Sequence, residues 1–328
     1  MNGYLSLLSL SMIATSLTVA QWPNICPVTG PTSSWNQTRC PSTQSCAPNG
    51  FSVSGWGCCP FQNSIACSSG FACCPEGTTC SVISGTGYST VYNCMNNNNI
   101  VTTSKCPCKP GVPFPPSTTK KNVLVIGDSL SIGYTPYVAQ DLSDIALVQH
   151  APWDFSDGGA EESNYGVQCL DNWLHSPSGI PLTPDLIWYN FGMHDYVTNC
   201  TEGYGCVPGQ SGNTTVYPGE LLNITTRLVN FSQQIGAKLL FGLTTPMLND
   251  ATIDNVIENT LNTAAAQIME ANKITYIDLH KAITDKCGLA PQPSCFNSTG
   301  CWSPHCPPGY SWLAANYIAP AIRSALTN

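Results

Sequence analysis

The distribution of cysteine is the sequence feature that most constrains this chain. Twelve of its nineteen cysteines lie between Cys26 and Cys108, and the other seven are spread over the last 220 of its 328 residues. The cysteine-rich segment has almost no long apolar run, so it cannot build a core by burial alone and needs cross-links. The sequence therefore predicts a small disulfide-rich unit followed by a larger domain of a different kind.

The N-terminus indicates the compartment in which these cysteines are oxidised. Leu5–Val19 is apolar with interspersed Ser and Thr, and it ends in the small-residue pattern Thr18-Val19-Ala20. This pattern predicts a cleaved signal peptide at residues 1–20. The alternative is a membrane anchor, but the run is shorter than the roughly 20 apolar residues that a span requires. We therefore expect a secreted or secretory-endolysosomal protein with no transmembrane anchor after cleavage, in which most of the nineteen cysteines form disulfides.

The charge composition and the glycosylation sequons agree with a protein of the secretory pathway. Charged residues make up only 9% of the chain, and the net charge of −8, with no Lys/Arg stripe, excludes a nucleic-acid partner. Six Asn-x-Ser/Thr sequons predict N-linked sugars that would add solubility. They are Asn36, Asn199, Asn213, Asn223, Asn230 and Asn297.

The cysteine spacing of residues 26–94 is specific. Cys40 and Cys46 enclose five residues, Trp56–Pro60 reads W-G-C-C-P, and Cys67–Cys80 reads C-SSGFA-C-C-P-EGTT-C. This segment resembles the granulin family, which has twelve cysteines in a ladder of disulfides. Two family positions are Ala47 and Ala66 here, and in the family these two positions are partners of one disulfide, so no thiol is orphaned.

The ladder connectivity of granulin, carried over to this sequence, implies five disulfides. They are Cys26–Cys46, Cys40–Cys58, Cys59–Cys73, Cys67–Cys80 and Cys74–Cys94. A zinc site is the alternative use of the same cysteines, but the signal peptide and the lack of interleaved histidines disfavour it. Residues 95–121, with the polar run Asn96–Asn99 and five prolines, are predicted to be a linker.

From residue 122 to residue 328 the pattern changes to short apolar runs that alternate with amphipathic stretches. Strands are predicted at Val123–Ile126, Ala146–Gln149, Leu186–Asn190, Leu239–Leu243 and Thr275–Asp278, and helices at Ser131–Leu142, Val167–His175, Glu220–Ile235 and Ile253–Asn272. Such alternation implies an α/β domain in which helices cover both faces of a parallel sheet. Binding and catalytic sites in these sheets lie at the carboxyl ends of the strands.

Candidate catalytic residues follow the ends of predicted strands. Gly127-Asp128-Ser129-Leu130 comes directly after the first strand, and His194 follows the third. His305 lies in a loop just before a C-terminal apolar helix. A serine at a strand-to-helix turn with a histidine near the same sheet edge is the geometry that a serine hydrolase needs. The alternative is that Asp128 or Ser129 only caps the helix.

Together these segments resemble the SGNH (GDSL-type) hydrolase family over about residues 121–328, which implies a flavodoxin-like three-layer α/β/α fold. The resemblance makes Ser129 the nucleophile and His305 the general base, with an oxyanion hole formed by Ser129, Gly159 and His194. The third block reads G-M-H-D, so His194 stands where the family has asparagine. Trp302 stands where the family has aspartate. Its backbone carbonyl, or a carboxylate from elsewhere, is then expected to orient the imidazole.

The remaining cysteines and histidines are predicted to be mainly structural. Cys200 and Cys206 are expected to close a loop by a disulfide, and two bridges are expected among Cys287, Cys295, Cys301 and Cys306 around His305. The sequence does not assign partners to Cys106, Cys108 and Cys169. His150, His175 and His280 are predicted to have structural or surface roles. No metal-ligand spacing such as H-E-x-x-H occurs, so no metal and no cofactor is expected.

Two functions remain open at this point. In one, the chain is a secreted serine ester hydrolase that acts on an ester substrate such as an acetylated glycan, with lipase-like activity as a variant. In the other, the hydrolase domain is weak or inactive and the granulin-like module is a secreted binding or signalling unit with an unknown protein partner. The intact Ser129 and His305 favour the first, and the missing aspartate favours the second.

Overall fold

The structure is a computed structural model, and it describes eleven ranges of the chain. They are residues 23–27, 37–48, 56–70, 72–84, 91–103, 107–112, 114–152, 159–196, 213–292, 294–296 and 305–328. The predicted signal peptide lies outside them. Within these ranges, no helix is both long and apolar enough to cross a membrane.

The cysteine-rich module consists of short antiparallel strand pairs. Its strands are β1 (Asn24–Ile25), β2 (Arg39–Cys40), β3 (Ser45–Pro48), β4 (Trp56–Cys59), β5 (Ser64–Ala66), β6 (Cys73–Pro75), β7 (Thr79–Ser84), β8 (Val91–Asn96) and β9 (Asn99–Thr103). The first six form three two-stranded pairs, and β7, β8 and β9 form one three-stranded sheet. Strands this short bury little apolar surface, so the cross-links carry much of the stability.

Five disulfides link these strands in a ladder. They are Cys26–Cys46, Cys40–Cys58, Cys59–Cys73, Cys67–Cys80 and Cys74–Cys94. They are the same pairs that the granulin resemblance implies. Most of these half-cystines are buried, and those from Cys59 to Cys94 form the small apolar clusters of the module together with Ala47, Ala72 and Tyr92.

The segment predicted as a linker is structured in two places. Residues 95–103 complete β8 and form β9, and Asn97 and Asn98, both with positive φ, make the turn between them. Asparagine tolerates this left-handed backbone, so the Asn run is a hairpin turn and not a flexible spacer. The prediction of a linker from residue 95 is therefore wrong for these residues. Residues 107–112 are buried against the second domain.

The second domain is built on a five-stranded parallel sheet. Its strands are β10 (Lys121–Ile126), β11 (Ala146–Ala151), β12 (Leu186–Tyr189), β13 (Lys238–Gly242) and β14 (Thr275–Ile277), in the order β11-β10-β12-β13-β14. Counted along the chain this is the order 2-1-3-4-5, which is flavodoxin-like. The central strand β12 is buried at all four residues, as expected for a sheet covered on both faces.

Helices pack on both faces of this sheet. They are α1 (Ser129–Asp141), α2 (Ser163–Trp173), α3 (Tyr217–Ile235), α4 (Ala251–Val256), α5 (Thr263–Ala271), α6 (Leu279–Cys287), α7 (Pro307–Leu313) and α8 (Ala319–Thr327), with π-helical turns at Ile257–Asn262 and Ala314–Ile318. The five strands and four helices predicted from sequence are all present, with ends shifted by a few residues. The three-layer α/β/α fold class is therefore correct.

The cysteine-rich module and the α/β domain share one apolar core. Cys26, Cys40 and Cys58 belong to the same buried cluster as the sheet residues. A disulfide joins Cys108, just after the module, to Cys169 on α2. A further disulfide, Cys287–Cys295, lies at the end of α6. The predicted Cys200–Cys206 pair lies outside the described residues.

Candidate active site

Ser129 lies where the first strand of the parallel sheet meets a helix. β10 ends at Ile126, and α1 begins at Ser129. The carboxylate of Asp128 caps this helix, because its Oδ1 accepts a hydrogen bond of 3.0 Å from the N–H of Leu130. The serine therefore stands at the positive end of the helix dipole, where N–H groups can stabilise an oxyanion.

His305 reaches this serine from the C-terminal part of the chain. Its Nε2 lies 2.8 Å from the Oγ of Ser129, across 176 residues of sequence. The two residues are brought together because α7, which begins at Pro307, packs against α1. Both side chains are partly buried, so a substrate could still reach the oxygen. The contact has the distance that a nucleophile and its general base require.

The other nitrogen of the His305 ring contacts a tyrosine that sequence reasoning missed. The hydroxyl of Tyr310 lies 2.7 Å from the Nδ1 of His305, and the two rings meet edge to face with centroids 5.6 Å apart. Tyr310 is on α7, and its ring packs directly over Gly133 of α1, where any Cβ would overlap the ring. The available signal was a tyrosine five residues after the histidine. Trp302, whose carbonyl was expected at this place, lies outside the described residues.

This contact is compatible with the tautomer that general-base catalysis needs. To take the proton of Ser129 at Nε2, the neutral imidazole must carry its own proton at Nδ1, which then donates to the oxygen of Tyr310. Burial raises the pKa of Tyr310 above its ordinary value, so the phenol stays neutral. A neutral oxygen can accept the Nδ1 proton, but it stabilises an imidazolium less than a carboxylate does.

We expect kcat/KM for ester hydrolysis to rise with pH along an acid limb with an apparent pKa below 6.5. Burial lowers the pKa of His305 from the ordinary value of 6.5. The ring accepts a proton only when neutral, so activity is low below this pKa and complete above it. A pH–rate profile of the wild type, with thermal unfolding followed over the same range, measures this. An acid limb with an apparent pKa above 6.5 would contradict the prediction. It would indicate that a carboxylate contacts Nδ1 of His305.

Gly159, predicted to be an oxyanion donor, lies beside Asp128, the residue before Ser129. It forms an isolated bridge with Asp128, and the N–H of the next residue, Ala160, donates to the carbonyl of Gly127 at 2.8 Å. The φ of Gly159 is +65°, and a Cβ there would lie 2.7 Å from the oxygen of Gly127. Only glycine fits this close approach with this backbone. The preceding glycine, Gly158, lies outside the described residues.

His194 lies near both Asp128 and His305. It follows β12 in the loop Phe191–Asp195 and is partly buried. Burial lowers its pKa, the charge of Asp128 opposes this effect, and the charge of His305 adds to it. These mutual effects place its imidazole within electrostatic reach of Asp128 and His305. A neutral imidazole still has one N–H, so it can act as the hydrogen-bond donor that the resemblance implies.

Asp195 fixes the loop that carries His194. Its Oδ1 lies 2.7 Å from the hydroxyl of Ser163, at the start of α2, and this hydroxyl also lies 2.6 Å from Oε2 of Glu220. One hydroxyl can donate to only one of two carboxyl groups, so the other must hold a proton. Burial raises the pKa of Asp195 to about 7, so this carboxyl group can hold that proton near neutral pH. Asp195 thus braces the loop against the start of α2.

The other histidines lie away from the reacting atoms. His280 was predicted to be a surface or capping residue; it lies in the first turn of α6 but is buried, with its Nε2 3.0 Å from Oδ1 of Asp254, so the surface alternative is wrong. His150 is buried between the hydroxyl of Ser131, at 2.6 Å, and the carbonyl of Pro152, at 2.8 Å. His175 contacts the carbonyl of Asp171 at 2.6 Å. These contacts are structural.

The predicted sequons are only partly within the described residues. Asn223 and Asn230 are exposed on α3, and Asn213 is partly exposed just before it. These three positions are accessible to a sugar to different degrees. Asn36, Asn199 and Asn297 lie outside the described residues.

Comparisons with known proteins find similarities in both parts of the chain. Residues 45–86 match the granulin family. No curated protein sequence matches the chain. A GDSL-like lipase structure from Bacteroides thetaiotaomicron is 15% identical in sequence to this chain, with a TM-score of 0.42. The match covers 65% of this chain and 93% of the lipase chain.

Two further structures are similar at the same level. A lipase/acylhydrolase from Enterococcus faecalis is 16% identical with a TM-score of 0.40, and it covers 62% of this chain and 96% of its own. The acetyl xylan esterase AlAXEase is 16% identical with a TM-score of 0.42, and it covers 62% of this chain and 98% of its own. The chain is thus similar to granulin over residues 45–86 and to solved structures of GDSL-type lipases and esterases over 62–65% of its length.

Proposed function

We propose that this protein is a secreted serine ester hydrolase with Ser129 as nucleophile and His305 as general base. The observation that carries the proposal is the 2.8 Å contact between Ser129 Oγ and His305 Nε2 at the carboxyl edge of the parallel sheet. The disulfide ladder supports the secreted location, since such bridges persist in oxidising compartments.

The first half of the reaction forms an acyl-enzyme. Ser129 Oγ attacks the carbonyl carbon of the ester while its proton moves to Nε2 of His305. The Nδ1 proton of the resulting imidazolium is held by the hydroxyl of Tyr310. The tetrahedral intermediate then collapses, the C–O bond to the alcohol breaks, and the alcohol leaves with the proton from His305.

The second half returns the enzyme to its starting state. Water attacks the acyl carbon and gives a proton to Nε2 of His305, and that proton returns to Ser129 Oγ as the acid leaves. In both halves the negative oxygen is held by the N–H groups of Ser129 and Gly159 and by the ring N–H of His194. Such pre-positioned donors stabilise the charge that develops in the transition state.

The substrate class that we propose first is an acetylated carbohydrate, with longer-chain lipid esters as the alternative. A secreted enzyme meets both. The two are separated by comparing p-nitrophenyl acetate, p-nitrophenyl octanoate and acetylated xylan. Faster hydrolysis of the acetate and release of acetate from the xylan support the carbohydrate substrate, and preference for octanoate contradicts it.

The decisive test is covalent labelling of the purified protein by a fluorophosphonate, with the labelled residue identified by mass spectrometry. We expect the label on Ser129. The matched control is Ser131→Ala, because Ser131 forms the second serine–histidine contact, with His150 at 2.6 Å. This variant should still be labelled. A wild type that is folded but neither labelled nor active, or a label on Ser131, would show that the proposal is wrong.

The match to granulin at residues 45–86 favours a second candidate, a secreted binding protein whose hydrolase domain is inactive. The same labelling experiment separates the two, because an inactive hydrolase leaves Ser129 unlabelled while the module stays folded. Binding activity that survives in an unlabelled wild type would support this second candidate.

A further inference from the structure

A lysine from the segment that follows the cysteine-rich module is buried beside the oxyanion glycine. Lys109 is only 3% exposed. Its Nζ donates to the carbonyl oxygen of Gly159 at 2.9 Å and pairs with Oε1 of Glu161 at 2.9 Å. A buried ammonium group is unfavourable unless it is paired and hydrogen-bonded. Both partners belong to the loop that leads into α2, so the lysine acts on that loop.

The backbone around Lys109 is fixed from several sides. Its N–H donates to the hydroxyl of Tyr165 at 2.9 Å, and that hydroxyl donates to the carbonyl of Pro107 at 2.9 Å. The preceding residue, Cys108, is linked to Cys169 on α2. Cys108 also exchanges two backbone hydrogen bonds with Cys58 of the module, at 2.7 and 3.0 Å. The lysine is therefore held in place by the module on one side and by α2 on the other.

Lys109 makes one of the two hydrogen bonds that hold the peptide group between Gly159 and Ala160. The peptide between Gly159 and Ala160 has its N–H on the carbonyl of Gly127 and its C=O on Lys109. With both ends held, the plane of this peptide cannot rotate freely. The N–H of Gly159 lies just before this peptide group. Its direction relative to the peptide plane is set by the backbone dihedral angles of Gly159, of which φ is +65°. This N–H is the proposed oxyanion donor.

The charge of Lys109 also reaches the site. It contributes to the lowering of the pKa of His194 and of His150. Glu161, its ion-pair partner, has a positive φ of 51°, a backbone conformation that is costly for a residue with a side chain. The ion pair thus holds the loop in a conformation that it would not adopt readily by itself.

We propose that Lys109 is a positioning residue for the oxyanion hole, and that the cysteine-rich module and the α/β domain are therefore one functional unit. The inference rests on the proposed esterase function. If it is correct, the hydrolase domain does not work equally well after the module has been cut away. The simpler alternative is that Lys109 only balances the charge of Glu161.

The test compares three variants of the full-length chain: Lys109→Met, Glu161→Gln, and the double variant. The rates are kcat and KM for p-nitrophenyl acetate, with the fluorophosphonate labelling rate and Tm measured alongside. If Lys109 positions Gly159, Lys109→Met should lower kcat and labelling by about 10-fold to 100-fold, less than the loss of a whole oxyanion donor. KM should change by less than about 2-fold, as for an interaction made only in the transition state.

The double variant separates positioning from charge balance. A positioning role predicts that Lys109→Met with Glu161→Gln keeps the low kcat, whereas charge balance predicts recovery towards the wild type. Recovery in the double variant, or a wild-type kcat in folded Lys109→Met, would overturn the inference. An inactive wild type would instead contradict the proposed function.

A second variant keeps the test valid if Lys109→Met does not fold. Tyr165→Phe removes the hydroxyl that holds the main chain of Lys109. It keeps the aromatic ring, whose centroid lies 5.4 Å from the Nζ of Lys109. We expect a smaller loss of kcat, about 2-fold to 10-fold, with unchanged KM. A Tyr165→Phe variant with full kcat alongside an unfolded Lys109→Met would assign the lysine to folding alone and overturn the inference.

Discussion

Ser129→Ala and His305→Ala are each expected to lower kcat for ester hydrolysis by about 10⁴-fold to 10⁶-fold, and the double variant should be no worse than the single variants. The reason is that the 2.8 Å contact makes the two side chains one unit. Without the serine no acyl-enzyme forms, and without the histidine the serine keeps its proton. Steady-state kinetics with p-nitrophenyl acetate measures all three variants.

The control for this prediction is Tyr310→Phe, which keeps the ring over Gly133 and removes only the hydroxyl. We expect a loss of about 10-fold, because a neutral hydroxyl orients the imidazole but stabilises its charge weakly. If the losses in Ser129→Ala and His305→Ala multiply in the double variant, the two residues do not act in one step. In that case His305 is not the base.

Gly159→Ala is expected to lower kcat by about 10²-fold to 10³-fold, because it displaces one oxyanion donor. It should also lower the free energy of unfolding by roughly 1–2 kcal/mol or more, since a side chain is strained at positive φ. The added Cβ would lie 2.7 Å from the oxygen of Gly127, a backbone atom that cannot simply turn away. Kinetics and chemical denaturation of the same preparation measure both effects.

Gly236→Ala is the matched control for Gly159→Ala. Gly236 ends α3 with a φ of +75°, and a Cβ there would meet nothing within 4 Å. This variant should show the stability loss from backbone strain while keeping wild-type kcat. If both alanines leave kcat unchanged, Gly159 is not part of the oxyanion hole. If both lower kcat equally, the effect of Gly159→Ala comes from lost stability alone.

Much of the fold could be read from the sequence because its signals are local. A strand such as Val123–Ile126 is a short apolar run before a glycine, and a helix such as α3 has Pro218 at its start and Gly236 at its end. The order of such elements restricts a parallel sheet to a few topologies. The hairpin at Asn97 and Asn98 was missed, because a run of asparagines is equally compatible with a turn and with a loose linker.

The candidate site was predictable only in part. Ser129, Gly159 and His194 each follow a strand, so the carboxyl edge of the sheet gathers them whatever the details of packing. His305 was found through its position before the last helices. Tyr310 was missed, because its contact with His305 depends on how α7 lies over Gly133. Lys109 was missed for a similar reason, since a lysine among prolines is usually exposed.

The sequence by itself determined the two-part construction and the parallel α/β domain, and its family resemblance pointed to Ser129 and His305 as the proposed nucleophile and base. These follow from cysteine spacing, apolar periodicity and short motifs, which are local properties of the chain. Only the tertiary structure decided which groups contact and support the proposed pair. Tyr310 at Nδ1 of His305 and Lys109 at the carbonyl of Gly159 both depend on distances across packed elements. Distances of this kind are set by the whole core, and no local pattern records them.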